Sequence, residues 1–189
     1  MSPRTHGAVP SPSSPSAVAI VQTAIGPLRL SATAAGVTSV EFDAPATEDP
    51  AAHRTDPDAE RVLRKAIDQI ERYFKGTLTH FALPLAPAGT DFQKRVWKQI
   101  GAIPYGSTTT YGQIARSLGD ANASRAVGLA NGSNPIPIIV PCHRVIGADG
   151  GLTGFGGGIE RKKWLIEHER RVATGPDGGD FLLFSGLAL

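Results

Sequence analysis

Among its 189 residues the chain has one cysteine. A single thiol excludes an internal disulfide framework, and a Cys-His dipeptide without further spaced ligands is not a structural zinc motif. His6, His53, His80 and His168 are scattered, so no metal is expected. Long apolar runs are missing as well. None approaches the roughly 18 to 20 residues of a spanning helix, and the first residues lack the charged start and apolar heart of a secretory signal. A cytoplasmic protein with no membrane partner is the expectation. With 41% hydrophobic and 19% charged residues the composition is neither collagen-like nor coiled-coil, and the length allows one good core or two small ones.

Net charge is only +2, but it is unevenly spread. Residues 90–171 hold 11 Lys/Arg against 6 Asp/Glu, whereas residues 1–89 hold 8 against 9. The second half is the part suited to a polyanion, although an ordinary solvated basic surface would read the same way.

Residues 1–16 are dominated by Ser and Pro and are expected to be a disordered tail. From Ala17 to Phe42, short Val/Ile/Leu/Thr runs broken at Gly26-Pro27 and Gly36 predict a three-stranded antiparallel meander. Asp56-Pro57 then starts a helix whose apolar stripe is Val62, Leu63, Ala66, Ile67, Ile70 and Phe74, with Gly76 as its stop. Leu78 to Leu85 alternates imperfectly and is expected as a further strand, and "APAGT" as a linker. This defines an N-terminal α/β domain over 17–86. A second domain, mostly helical, follows over 90–171, with a C-terminal tail at 172–189 whose Phe181, Leu182, Leu183 and Phe184 are candidates for docking.

Thr90 with Gln93 forms a capping box ahead of Phe92, Val96, Trp97, Ile100 and Ile103. A second box, Thr110 with Gln113, opens a short helix to Leu118, closed by Gly119. Asn122 is expected to cap another through Ala130. Two short helices across a Gly-containing turn are a helix-turn-helix pattern, which serves either DNA binding or plain packing. The second helix offers little to base edges beyond Arg125, since Ala123, Ser124, Ala126, Gly128 and Ala130 are small. Small residues suit close approach into a narrow groove, or tight helix packing.

The cysteine stands in "NPIPIIVPCHRVIG", Asn134 to Gly147. Pro141 forces Val140 into an extended conformation, so the chain is expected to reach Cys142 stiffly from a buried strand-like segment. A core thiol is the bland reading. His143 and Arg144 argue against an apolar surround and for a nucleophile, which must be activated because the thiolate is the reactive form. Neighbouring side chains diverge, so His143 would act through a bridging water, oriented by Glu167 or Glu169 of "IERKKWLIEHE", a helix whose expected apolar face is Ile159, Trp164, Leu165 and Ile166. The glycine-rich "GADGGLTGFGGGIE" between them could present bare backbone to a planar ligand or be a plain connector.

"PCHRVIG", with "RAVGLANGSNPIPIIV" before it and "LTGFGGGIERKKWLIEHE" after it, resembles the O6-alkylguanine-DNA alkyltransferases. The resemblance runs from "GTDFQKRVWKQIGAIPYGSTTTYGQIA" to Glu169, and the first half fits as that family's variable N-terminal domain. It implies an α+β fold: a small antiparallel sheet with a covering helix, ribonuclease H-like, followed by a helical domain with a helix-turn-helix. It also implies irreversible, single-turnover transfer of an alkyl group from O6-alkylguanine, and from O4-alkylthymine, in double-stranded DNA to Cys142, with minor-groove binding and base flipping and no cofactor.

By the same resemblance His143 is the water-linked base, Glu169 its orienting carboxylate, Tyr111 the proton donor to guanine N3 and Asn134 the brace of the active-site turn. Arg125 fills the space of the flipped base, and Thr110, Ala123, Ser124, Ala126 and Gly128 form the DNA face. Pro137, Val145, Phe155 and Gly156 form the alkylguanine pocket, with the Cys142 and Val145 carbonyls accepting the guanine amine. Phe155 replaces a common tyrosine, and the zinc cluster of some members is missing. A monomer is expected, with cooperativity on DNA left open. The alternatives are a cysteine hydrolase or acyltransferase, and a non-catalytic alkyl-DNA sensor of the same fold.

Overall fold

Two tight turns fold the first apolar stretch back on itself: Gly26 and Gly36 have φ of +101° and +150°, and a Cβ on Gly36 would lie 2.6 Å from the Pro84 carbonyl oxygen. In this computed structural model, residues 17–45 and 56–175 are described. The turns connect β1 (Ala17–Thr23), β2 (Gly26–Thr33) and β3 (Gly36–Phe42), an antiparallel sheet in the order β1-β2-β3. Val21 faces Leu28 and Leu30 faces Val40 across the ladders, and these four are buried.

Helix α1 (Pro57–Phe74) covers the sheet. Asp56 caps it by accepting from the Asp58 N–H at 2.9 Å, Pro57 opens it where a missing N–H costs nothing, and Val62, Leu63, Ala66, Ile70 and Tyr73 are its buried stripe. The strand expected over Leu78–Leu85 does not form. A single bridge remains, with the Val37 N–H donating to Pro84 O (2.9 Å) and the Ala86 N–H to Val37 O (2.8 Å). Pro84 has no N–H for a ladder, and the apolar spacing around it is out of phase with a pleat.

Helix α2 (Asp91–Gly101) starts with the complete Thr90–Gln93 capping box and buries Val96, Trp97 and Ile100. Next come β4 (Thr109–Thr110) and α3 (Tyr111–Ser117), which carries the second capping box from Thr110 and Gln113. Asn122 is not the next cap. Asp120 accepts from the Asn122 N–H at 2.9 Å and opens a 3-10 turn, Ala121–Ala123, that runs directly into α4 (Ser124–Gly132). The carboxylate two residues upstream meets the turn first, and so takes the capping position.

The proline-rich segment before Cys142 is a compact buried turn rather than a strand. Pro137 bridges to Val140, Ile138 takes a positive φ of 75°, and Ile136, Ile138, Ile139 and Val140 are buried. Pro135, Pro137 and Pro141 each lack the donor a ladder needs. Cys142–Arg144 form a second 3-10 turn, and β5 (Val145–Ile146) pairs in parallel with β4.

Helix α5 (Ile159–Thr174) closes the fold, with a buried face that matches the expected one only in part. Ile159 is 41% exposed, and the buried side combines Leu165 and Ile166 with Lys162, His168 and Glu169. Tyr73 and Phe74 of α1 meet Trp164 and His168 of α5 in an aromatic cluster, joining the sheet layer to the helical half. The architecture is α+β, as expected. The 1–16 tail and Phe181–Phe184 lie outside the described residues.

Candidate active site

Asn134 positions the cysteine. Its Oδ1 accepts from the Ile136 N–H (3.1 Å) and its Nδ2 donates to Val140 O (2.8 Å), which pins both ends of the proline turn. The same side chain lies beside Cys142 and favours its thiolate. Burial pushes the Cys142 thiol up to about 11, only partly opposed by Asn134 and by the charge of Lys162. At neutral pH the sulfur therefore carries its proton, and attack requires a base during the reaction.

A group able to accept that proton lies one residue on. His143 is fully buried, with Nε2 2.8 Å from Glu169 Oε1. Glu169 is held down at about 2, against the cost of burial, by hydrogen bonds from His143 and Arg144 and by the charge of Arg144. An ionised carboxylate only accepts, so Nε2 carries the proton and donates it, which leaves Nδ1 with a free lone pair. Nδ1 is buried and has no hydrogen-bond partner among the described residues. Burial, with Arg144 and Lys162 nearby, lowers the His143 pKa and keeps the ring neutral.

Arg144, which looked out of place beside a core, is buried but satisfied. Its Nε and Nη2 donate to Glu169 at 2.8 and 3.0 Å, and its Nη1 to Ile103 O at 2.6 Å. Glu167 faces solvent and pairs with Lys163 at 4.0 Å, so Glu169 is the carboxylate that meets the histidine. Lys162 donates to Val145 O (2.6 Å) and Thr153 O (2.7 Å), fixing the glycine-rich loop to the turn after the cysteine.

Cys142, Asn134, Pro137 and Gly156 share the wall of a cavity of about 410 Å³. Val145 and Phe155 are not in that wall. Tyr111 is outside it too, at the start of α3, with its hydroxyl donating to Thr153 O (3.1 Å) and its ring near Gly128 and Gly154. Burial raises its pKa, and the charge of a Cys142 thiolate adds to the shift. Thr110 accepts the Gln113 N–H as the cap of α3. Ala123, Ser124 and Gly128 are partly exposed on the adjoining surface, and Arg125 and Ala126 are exposed. No ion pair engages Arg125 among the described residues. A larger cavity, about 570 Å³, lies behind Pro141 and Arg144, and Cys142 does not line it.

Several contributors escaped the sequence reading. β3 supplies Val40 and Phe42 to the cysteine cavity, and Asp43 follows directly after it. Phe42 packs edge-on against Phe155 (5.5 Å), and Arg161 pairs with Asp43 beneath the glycine-rich loop. Asn131 also lines the cavity, its amide buried without a hydrogen-bond partner among the described residues. Lys162 was legible in principle: with Leu165, Ile166 and Glu169 it completes an i, i+3, i+4, i+7 stripe. Among the described residues no cluster of His, Cys, Asp and Glu could hold a metal ion.

Residues 18–87 match the family model of the 6-O-methylguanine DNA methyltransferase ribonuclease-like domain, and residues 91–171 that of the 6-O-methylguanine DNA methyltransferase DNA binding domain. The methylated-DNA–protein-cysteine methyltransferase of Mycobacterium tuberculosis is 51% identical over 154 residues, covering 81% of this chain and 92% of the relative. That of Methanosarcina barkeri is 47% identical over 152 residues, covering 79% and 94%. Among solved structures, the M. tuberculosis O6-methylguanine methyltransferase superposes with a TM-score of 0.70 at 49% identity, covering 81% of this chain and 92% of that one. The M. tuberculosis protein in complex with DNA gives the same TM-score and identity, covering 80% and 91%.

Proposed function

The chain belongs to the methylated-DNA–protein-cysteine methyltransferase family, and from that premise we propose how its own residues carry out the repair of O6-alkylguanine in double-stranded DNA. The observation that carries the proposal is a protonated, buried thiol next to a neutral histidine whose Nε2 is tied to an ionised Glu169.

Cys142 Sγ attacks the alkyl carbon. The new S–C bond forms as the C–O6 bond breaks, and the thiol proton passes through a water to His143 Nδ1. Glu169 stabilises the imidazolium. Tyr111, whose raised pKa keeps it protonated, gives its proton to guanine N3 as the base leaves, and recovers one from His143 through solvent. The products are guanine and a thioether. A thioether offers water no leaving group, so each molecule reacts once. O4-alkylthymine presents the same alkoxy carbon and is a second substrate.

The surface around α3 and α4 is the DNA face. Ala123, Ala126 and Gly128 permit close backbone approach in the minor groove, Thr110 and Ser124 offer hydroxyls, and the exposed Arg125 guanidinium takes the place of the extruded base. Pro137 and Gly156 wall the base pocket beside Asn134, with Phe155 and Val145 at its margin. We place the reaction in a monomer, because every group invoked comes from one chain, and in the cytoplasm, where thiols stay reduced.

The test is intact mass after mixing with a duplex bearing O6-methylguanine. The expected gain is about one methylene per molecule, on Cys142, with no turnover beyond stoichiometry. Repeated turnover of a chemical ester with no mass gain from DNA would establish a cysteine hydrolase instead. Binding of the damaged duplex with neither outcome would establish a sensor.

A further inference from the structure

Glu169 accepts five hydrogen bonds, and one comes from the other half of the molecule. Oε1 takes the Tyr73 hydroxyl (2.8 Å), His143 Nε2 (2.8 Å) and Arg144 Nη2 (3.0 Å), and Oε2 takes Arg144 Nε (2.8 Å) and the Gly106 N–H (3.1 Å). Tyr73 stands in the last turn of α1, the helix that covers the N-terminal sheet, and is fully buried. Its ring is wedged among Phe74, Phe81, Tyr105 and His168, so the direction of its hydroxyl is set by packing.

We propose that Tyr73 is a positioning residue for alkyl transfer: the N-terminal domain takes part in the chemistry by holding the carboxylate oxygen that orients His143. The inference rests on the alkyl-transfer reading above. Two effects follow from the geometry. The hydroxyl shares Oε1 with the imidazole and so fixes the carboxylate about its side-chain torsions, which fixes the orientation of the His143 ring. It also draws electron density from the oxygen that faces Nε2, so the histidine becomes less basic than a bare carboxylate would make it. The other groups facing this pair are Arg144 on the active-site turn, Lys162 on α5 and Tyr105 after α2, and Arg171 of α5 acts in turn on Tyr105. Arg144 and Lys162 also hold the proton affinity of His143 down, so losing Tyr73 removes one of several restraints of the same sign.

Tyr73→Phe keeps the ring and deletes the hydroxyl. Single-turnover methyl transfer from duplex DNA is measured from about pH 5 to 9, and the His143 ring is titrated by NMR in the protein without DNA. The expected result is transfer at pH 7 slowed roughly tenfold, the scale of one hydrogen bond to a charged group, with the acid limb of the rate profile and the His143 titration both displaced to higher pH. Phe74→Leu, in the same aromatic cluster but without contact to Glu169, is expected to lower stability and move neither. A Tyr73→Phe protein whose His143 titration and rate profile both match the wild type overturns the proposal, as does an equal displacement in Phe74→Leu. The titration needs no DNA, so it judges Tyr73 even if Cys142 accepts no alkyl group.

Discussion

The interior beneath Cys142 and the surface of α3 and α4 use opposite means. Beneath the cysteine, His143, Arg144, Lys162, Glu169 and Tyr73 lie within 7% exposure, and nearly every polar atom has a fixed partner. On α4 the outward side chains Arg125, Ala126 and Leu129 are exposed, Leu129 by 73%. Low dielectric makes each interior contact strong and each orphan costly, so chemistry is concentrated in a few indispensable groups. A surface that meets a polyanion spreads its affinity over many weak, screened contacts.

Three measurements test that contrast. Cys142→Ser is expected to abolish transfer while leaving DNA binding near wild type by equilibrium titration. A matching loss of binding would mean that the two regions are not separate. Glu169→Gln places an amide donor where the neighbours are donors and strips Arg144 of its counter-charge. Transfer should fall on the order of 10²- to 10⁴-fold and stability by roughly 3 to 5 kcal/mol. The Glu169 pKa is depressed from 4.5 to about 2, so its stabilisation, about 3 kcal/mol, is complete above pH 4.5 and lost as pH falls toward 2. His143, lowered from 6.5, begins the same loss at higher pH. Denaturant unfolding of Glu169→Gln should therefore show a flatter acid slope than wild type, and an unchanged slope would deny the carboxylate its role. Arg125→Ala has the smallest effect: repair of duplex should weaken more than reaction with a free modified base, and wild-type binding should fall steeply with salt. Equal losses on both substrates, or a flat salt response, would remove α4 from the DNA face.

The two regions also differed in how far they could be read from sequence. Both capping boxes, α1 and the three-strand meander follow from local chemistry, where a side chain and its partner are a few residues apart. The helix after Gly119 follows from its residues, but its cap is Asp120 rather than the expected Asn122, because two capping residues two positions apart compete and only the backbone turn decides between them. Around Cys142 the prolines suggested a stiff strand where the chain makes a turn, since removal of three donors forbids a ladder. Resemblance pointed to Glu169, whereas Lys162 and Arg144 went unassigned because charged side chains are ordinarily read as surface.

By itself, the sequence determined the α+β order of elements, the family, the single cysteine with a histidine beside it, and the small-residue helix that carries Arg125. These are properties of local spacing and residue type. Only the tertiary structure decided that β3 walls the cysteine cavity, that Lys162 ties the glycine-rich loop to Val145, and that Tyr73 reaches across from α1 to Glu169, 96 residues away. Which donors share a buried carboxylate depends on which helices pack together, and that packing follows from the burial of the whole chain.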